Sequence, residues 1–110
     1  MSSNSRAAIS VSSLQGVSWT CLVPVYLRAR ESLSADARLK DPKAVEICSR
    51  LNLKISEIMA FQGFHEQVVA RTRIIDDACR TFLVEHPDAV VVNLGAGMDT
   101  RYSRLDNGRV

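Results

Sequence analysis

A continuous apolar run followed by a glycine turn constrains the fold of this chain most strongly. The run "AVVVNL" covers residues 89–94 without alternating between apolar and polar positions, and Gly95-Ala96-Gly97 follows it directly. Such a run is typical of a strand buried on both faces, as in a parallel sheet. Glycine lacks a Cβ, so a turn with two glycines lets the backbone approach a ligand closely. We therefore predict a central strand, a glycine loop and then a helix.

Two helices are predicted in the first half of the chain. The segment "VSWTCLVPVYLRARES" favours a helix that is capped by Ser18 or Thr20 and has Pro24 in its first turn. Asp41-Pro42 is a strong start signal for the next helix, because Asp caps helices and Pro suits the first helical position.

A longer helix is predicted from about His65 to Glu85. Apolar and small residues recur there at three- and four-residue steps, the spacing of one helix face, at Val68, Thr72, Ile75, Cys79, Phe82 and Leu83. Pro87 ends the pattern, because the residue before a proline resists helical geometry.

This order of elements indicates the opening of a larger α/β domain. A single strand cannot satisfy its own backbone hydrogen bonds, and the chain supplies one convincing strand. We divide the chain into a flexible tail over residues 1–15, a helical region over residues 16–87 and the start of a Rossmann-like core over residues 88–110.

In a nucleotide-binding unit the acidic residue that holds the ribose lies roughly 20 residues beyond the glycines. That position falls past Val110. We therefore expect the domain to be cut short, with weak or absent cofactor binding, no catalysis alone and an exposed edge at residues 89–94.

Composition excludes several classes of function. The net charge is +2 and basic residues are interspersed with acidic ones, so we expect no nucleic-acid partner. No stretch approaches the roughly 18 apolar residues of a membrane span, and no secretory signal precedes the helices. The three cysteines are widely spaced with no Cys-x-x-Cys pair, which favours reduced thiols and a cytoplasmic location.

The glycine turn favours one kind of cofactor. The dinucleotide fingerprint is Gly-x-Gly-x-x-Gly, and Thr100 occupies its third glycine position here. The third glycine helps a helix pack close to a pyrophosphate, so its absence favours a cofactor without one, such as S-adenosylmethionine. The alternative is a plain turn in which the glycines only supply backbone angles.

Three segments resemble one family. "VVNLGAGMDTRYSRL" is similar to the glycine motif of the leucine carboxyl methyltransferase family, "VVARTRIID" to its Ala-Arg helix, and "ARESLSADARLKDPKA" to its Arg-x-x-Glu and Asp-Pro region. The resemblance implies a class I methyltransferase fold and transfer of a methyl group from S-adenosylmethionine to a carboxylate or hydroxyl of a small molecule.

The resemblance also implies cofactor-binding residues. Gly95, with Ala96 and Gly97 in the same loop, would line the cofactor, and Arg71 would bind its methionine carboxylate. Arg30 is our choice for a further basic residue that the family contributes from its N-terminal region. A planar guanidinium suits a carboxylate because it donates two parallel hydrogen bonds. No residue is assigned to catalysis.

Several other residues of the sequence have simpler structural interpretations. "HEQVV" at His65 lacks the second His of the zinc signature His-Glu-x-x-His, so we expect no metal site. Cys79 is interpreted as a packing residue, and Asp99 as a helix cap or a partner of Arg101. Trp19 and Tyr26 either line a lid over the active site or pack a helix.

Three functions follow in order of preference. The first is an O-methyltransferase, present here as an incomplete part. The second is a non-catalytic helical interaction module, or a truncated remnant, whose missing strands another polypeptide would supply. A nicotinamide-binding domain is the third. Nothing in the sequence specifies the acceptor or an oligomeric state.

Overall fold

The computed structural model describes residues 8–10, 20–52 and 61–110. Most of the tail predicted over residues 1–15, together with Ser18 and Trp19, lies outside these ranges. The first helix, α1, spans Leu22–Leu33, and Pro24 lies in its first turn as predicted. Cys21 precedes the helix and makes no side-chain capping bond, so the predicted Thr20 cap is wrong.

The second helix, α2, spans Pro42–Arg50 and confirms the Asp41-Pro42 start signal. Asp41 caps it by accepting a hydrogen bond of 3.0 Å from the backbone N–H of Ala44. A two-residue strand, β2, follows at Leu51–Asn52 and pairs in parallel with β1 at Ile9–Ser10.

The third helix, α3, spans His65–Glu85 after a short 3-10 turn at Gln62–Phe64, and its bounds are those predicted. Its predicted buried face is correct only in part. Val68, Thr72 and Leu83 are buried, whereas Ile75 and Phe82 are exposed and Cys79 is half-buried. Among the described residues, no element covers that part of the helix, so the periodic pattern marks a surface that remains open.

The strand predicted at residues 89–94 does not form among the described residues. The run forms no ladder, and Val90 and Leu94 are 89% and 87% exposed. A strand needs a neighbouring strand to accept and donate its backbone hydrogen bonds, and none of the described residues provides one here. The glycine turn follows, and a short helix, α4, spans Arg101–Leu105.

Two apolar clusters hold the helices together. Val23 and Leu27 of α1 pack on Val68 of α3. On another face of α1, Val25 and Ala29 pack on Ala44 of α2. Within the described residues, no helix combines the length and the apolar character needed to cross a bilayer.

Candidate functional site

The glycine turn has a backbone that requires glycine. Gly95 and Gly97 have φ angles of 60° and 55°, in the left-handed region that residues with a Cβ rarely adopt. The backbone N–H of Asp99 donates to the carbonyl of Ala96 at 2.9 Å and closes the turn. This geometry accounts for both glycines whether the turn holds a cofactor or only changes the chain direction.

Arg28 of α1 forms a hydrogen bond to the backbone directly after the glycine turn. Its Nη2 donates to the carbonyl oxygen of Met98 at 3.1 Å, and its Nε donates to Asp41 at 3.0 Å. The side chain is buried. Sequence reasoning missed this residue and chose Arg30, although Arg28 is the arginine that lies three positions before Glu31 and so forms the Arg-x-x-Glu pattern.

Asp41 joins α2 to the segment after the turn. One carboxylate oxygen caps α2, and the other accepts hydrogen bonds from Arg28, from Thr100 Oγ1 at 2.6 Å and from Arg104 Nη1 at 2.9 Å. Asp41 is completely buried. The capping residue therefore also fixes the position of the glycine turn relative to α1 and α2.

Asp76 of α3 joins the long helix to the same segment. It accepts from Arg104 Nε at 2.6 Å and from Arg101 Nε at 3.1 Å. Arg101 also pairs with Asp99 at 2.7 Å, which confirms the predicted Asp99–Arg101 contact. Together these groups form what we name the buried ion network: Arg28, Asp41, Asp76, Asp99, Thr100, Arg101 and Arg104.

The charges of the network balance, since it contains three arginines and three aspartates. Burial raises the pKa of Asp99, but the hydrogen bond from Asn93 and the nearby guanidinium groups outweigh burial, and the net pKa lies below its ordinary value. Burial lowers the pKa of Arg104, but hydrogen bonds and charge attraction from Asp76 outweigh it, and the net pKa is raised. For Arg28 burial dominates, and its pKa is lowered. The directions for Asp99 and Arg104 both favour their charged forms.

A cavity of about 190 Å³ lies beside the turn, and we name it the turn cavity. Three of the predicted cofactor residues line it: Arg71, Gly95 and Ala96. Arg28 also lines it. Within the described part of the chain, the Arg71 guanidinium has no hydrogen-bond or ion-pair partner. An unpaired cation therefore lines a cavity formed partly by open backbone.

The other predicted residues lie elsewhere. Gly97 is not part of the cavity lining, and a Cβ added to it would lie 3.5 Å from Cys21 Cβ. Arg30 does not line the cavity either. Tyr26 packs against the cluster of Val23, Leu27 and Val68, which supports its interpretation as a packing residue.

Comparisons with known proteins identify the family of the chain. The family model of leucine carboxyl methyltransferases matches residues 21–109. The tetracenomycin polyketide synthesis O-methyltransferase TcmP of Streptomyces glaucescens is 34% identical over 84% of this chain and 34% of its own length. The S-adenosyl-L-methionine-dependent methyltransferase dpfgK of Gibberella zeae is 29% identical over the same shares. No solved structure matches the chain.

The matched residues cover most of the chain, which therefore belongs to the leucine carboxyl methyltransferase family. Membership implies S-adenosylmethionine as the cofactor. The chain spans about a third of the length of the curated relatives it matches.

Proposed function

We propose that this chain is the N-terminal, cofactor-binding part of a cytoplasmic S-adenosylmethionine-dependent O-methyltransferase that acts on a carboxylate or hydroxyl of a small molecule. The observation that carries the proposal is the convergence of Arg71, Gly95 and Ala96 on one cavity. Arg71 lies 24 positions before Gly95 in the sequence, and the family resemblance implies a cofactor role for all three residues.

The chemistry of the turn cavity fits the methionine end of the cofactor. A carboxylate there would satisfy Arg71, and the guanidinium presents donors in the geometry that a carboxylate accepts. The cavity's 190 Å³ is less than the roughly 300–1,000 Å³ of pockets that enclose a whole small ligand. It therefore suits one end of the cofactor.

The residues of this chain bind and orient rather than transfer protons. When bound, S-adenosylmethionine supplies a methyl group already activated by its sulfonium. The task left to the protein is to hold donor and acceptor in line. Arg71 holds one end, while the buried ion network fixes the turn that approaches it. We propose that residues 88–110 open a Rossmann-like core, in which residues 89–94 gain strand partners.

Binding of S-adenosylhomocysteine by the 110-residue chain, followed by ligand-observed NMR, tests the proposal. We expect weak but saturable binding that Arg71→Leu reduces about 10-fold or more, since a hydrogen-bonded charge pair contributes about 1.5–3 kcal/mol. Arg73→Leu is the matched control, because Arg73 is exposed on the same helix and does not line the cavity. Equal losses in both variants would count against the assignment, and so would equal binding of a nicotinamide dinucleotide.

The alternative function is a helical interaction module. The exposed apolar run at residues 89–94 favours it, because an unpaired extended segment can join a sheet of another polypeptide. Such a module would gain strand structure when its partner is added. Its wild type would bind S-adenosylhomocysteine no better than the Arg71→Leu variant does. Circular dichroism with and without the partner, beside the ligand titration, separates the two functions.

A further inference from the structure

Asn93 contributes an unused hydrogen-bond acceptor to the turn cavity. The residue is exposed, lies two positions before Gly95 and lines the cavity together with Arg71. Its Nδ2 donates to Asp99 Oδ2 at 2.8 Å. Among the described residues, no group donates a hydrogen bond to Asn93 Oδ1. The cavity wall therefore holds an open acceptor as well as the open donors of Arg71.

The contact with Asp99 determines which way the Asn93 amide faces. Burial raises the pKa of Asp99, but the hydrogen bond from Asn93 and the nearby guanidinium groups lower it further, so the carboxyl group is ionised at neutral pH. An ionised carboxylate only accepts hydrogen bonds, so the amide NH₂ must face it and the amide oxygen must face away. Asp99 is itself held by Arg101 Nη1 at 2.7 Å, which fixes the group that orients the amide.

The other polar side chains of the turn cavity already have partners. Arg28 and Arg101 donate within the buried ion network, and Thr72 Oγ1 donates to a backbone carbonyl of its own helix at 2.7 Å. The described wall thus offers a ligand one uncommitted cationic side chain, Arg71, and one uncommitted amide oxygen, on Asn93.

This pair of groups matches both charges of an amino-acid terminus. The methionine end of S-adenosylmethionine carries a carboxylate and an ammonium on the same carbon atom. The Arg71 guanidinium suits the carboxylate but repels the ammonium, which needs an acceptor. An amide oxygen supplies that acceptor without a negative charge, so it does not repel the carboxylate beside it.

We propose that Asn93 binds the α-ammonium of the cofactor through Oδ1, with Asp99 positioning the amide, and so makes the turn cavity select an amino-acid terminus over a simple carboxylate. This inference rests on the proposed function and deepens it at the same site. Arg71 then supplies affinity for either kind of terminus, whereas Asn93 supplies the discrimination between them.

The test compares two probes by ligand-observed NMR on the 110-residue chain. One is S-adenosylhomocysteine, and the other is its deaminated analogue, which keeps the carboxylate and has hydrogen in place of the ammonium. The wild type should bind S-adenosylhomocysteine about 10-fold more tightly, the effect of one hydrogen bond to a charged group. Asn93→Leu should bring this ratio close to one by weakening S-adenosylhomocysteine alone. Asn107→Leu is the matched control, because Asn107 is also exposed, donates to the Pro87 carbonyl and does not line the cavity.

The role of Asp99 is read from the same ratio. Asp99→Asn should lower the ratio, because the Asn93 amide loses the group that orients it. A merely structural role for Asp99 would weaken both probes equally and leave the ratio unchanged.

Equal binding of the two probes by the wild type would overturn the inference, and so would an unchanged ratio in Asn93→Leu. Both results leave the proposed function standing as long as Arg71→Leu weakens both probes, since both carry the carboxylate. Absence of S-adenosylhomocysteine binding by the wild type would instead contradict the proposed function and this inference with it.

Discussion

At the scale of single residues, Asp41 has the largest structural role. A fully buried carboxylate is costly unless each of its oxygens is paired, and here one caps α2 while the other accepts from Arg28, Thr100 and Arg104. Removing its charge would leave buried guanidinium groups without their counterion. The side chains of Arg28 and Arg104 are only 6% and 2% exposed, so water cannot replace it.

We predict that Asp41→Asn lowers the free energy of unfolding by about 3–5 kcal/mol, the cost of breaking a buried ion pair. Asn retains the size of the side chain and can still cap a helix, so the decrease in the free energy of unfolding reports the loss of the charge. Urea denaturation measures it. Asp77→Asn is the control, because Asp77 pairs with Arg80 at the surface and its loss should cost about 1 kcal/mol or less. Similar losses in the two variants would contradict the role of the network.

Glu31 is a second residue whose charge matters. Hydrogen bonds from the side chain and the backbone N–H of Arg38 lower the pKa of Glu31 from 4.5 to about 2, and His65 adds a further hydrogen bond. Because the folded-state pKa is depressed, the stabilisation is complete above pH 4.5 and is lost as the pH falls toward about 2.

We predict that Glu31→Gln flattens this acid limb. Between pH 4.5 and about 2, the stability of the wild type should fall more steeply than that of the variant. Thermal unfolding at stepped pH values measures the slopes, with Glu46→Gln, from the exposed pair with Lys43, as the control. Parallel slopes for the wild type and Glu31→Gln would exclude this contribution.

At the scale of elements, the glycine turn links geometry to binding. Gly95 lines the turn cavity. Gly108 has a comparable positive φ of 79° but does not line that cavity, and a Cβ at either position would meet open space. Both positions therefore require a left-handed backbone, but only Gly95 of the two lines the cavity of the proposed ligand.

We predict that Gly95→Ala and Gly108→Ala each destabilise the fold by about 1–2 kcal/mol, the cost of the left-handed conformation for a residue with a Cβ. Only Gly95→Ala should also weaken S-adenosylhomocysteine binding. Chemical denaturation and ligand-observed NMR on both variants provide the two readouts. An unchanged affinity for Gly95→Ala would remove the turn from the site.

The elements also show what the sequence alone could predict. The bounds of α3 and the Asp41 cap follow from local spacing and capping chemistry, whereas the role proposed for Arg71 comes from the family resemblance. The network was missed, because the partners of Asp41 at Thr100 and Arg104 are 59 and 63 residues away and no local pattern connects them. Arg28 was missed because Arg30, two positions further along the same helix, was chosen instead. The predicted strand at residues 89–94 is not formed among the described residues, since a strand depends on a partner strand that the local sequence cannot supply.

At the scale of the whole molecule, the open surface is the main feature. Val90, Val92 and Leu94 are exposed after the helices have packed, and so are Ile74, Phe82 and Val84 of α3. Apolar surface of this extent favours association, and residues 89–94 form no strand pairing among the described residues.

We predict that the chain self-associates through residues 89–94 and that Val92→Lys reduces this association, because a charge on an edge opposes strand pairing. Val84→Lys is the control, since Val84 is also apolar and exposed but lies in the helix α3. Light scattering over a concentration series measures the effect. An equal reduction by both substitutions would indicate general apolar association instead of edge pairing.

The central claim is that the glycine turn and Arg71 bind the methionine end of the cofactor. A protein-observed NMR titration with S-adenosylhomocysteine tests it most directly, because each backbone amide and the Arg71 Nε–H report separately. The account predicts saturable shifts that centre on Gly95, Ala96 and Arg71, with none of this pattern when a nicotinamide dinucleotide is added. Shifts confined to other residues, or no shifts at these three, would contradict it.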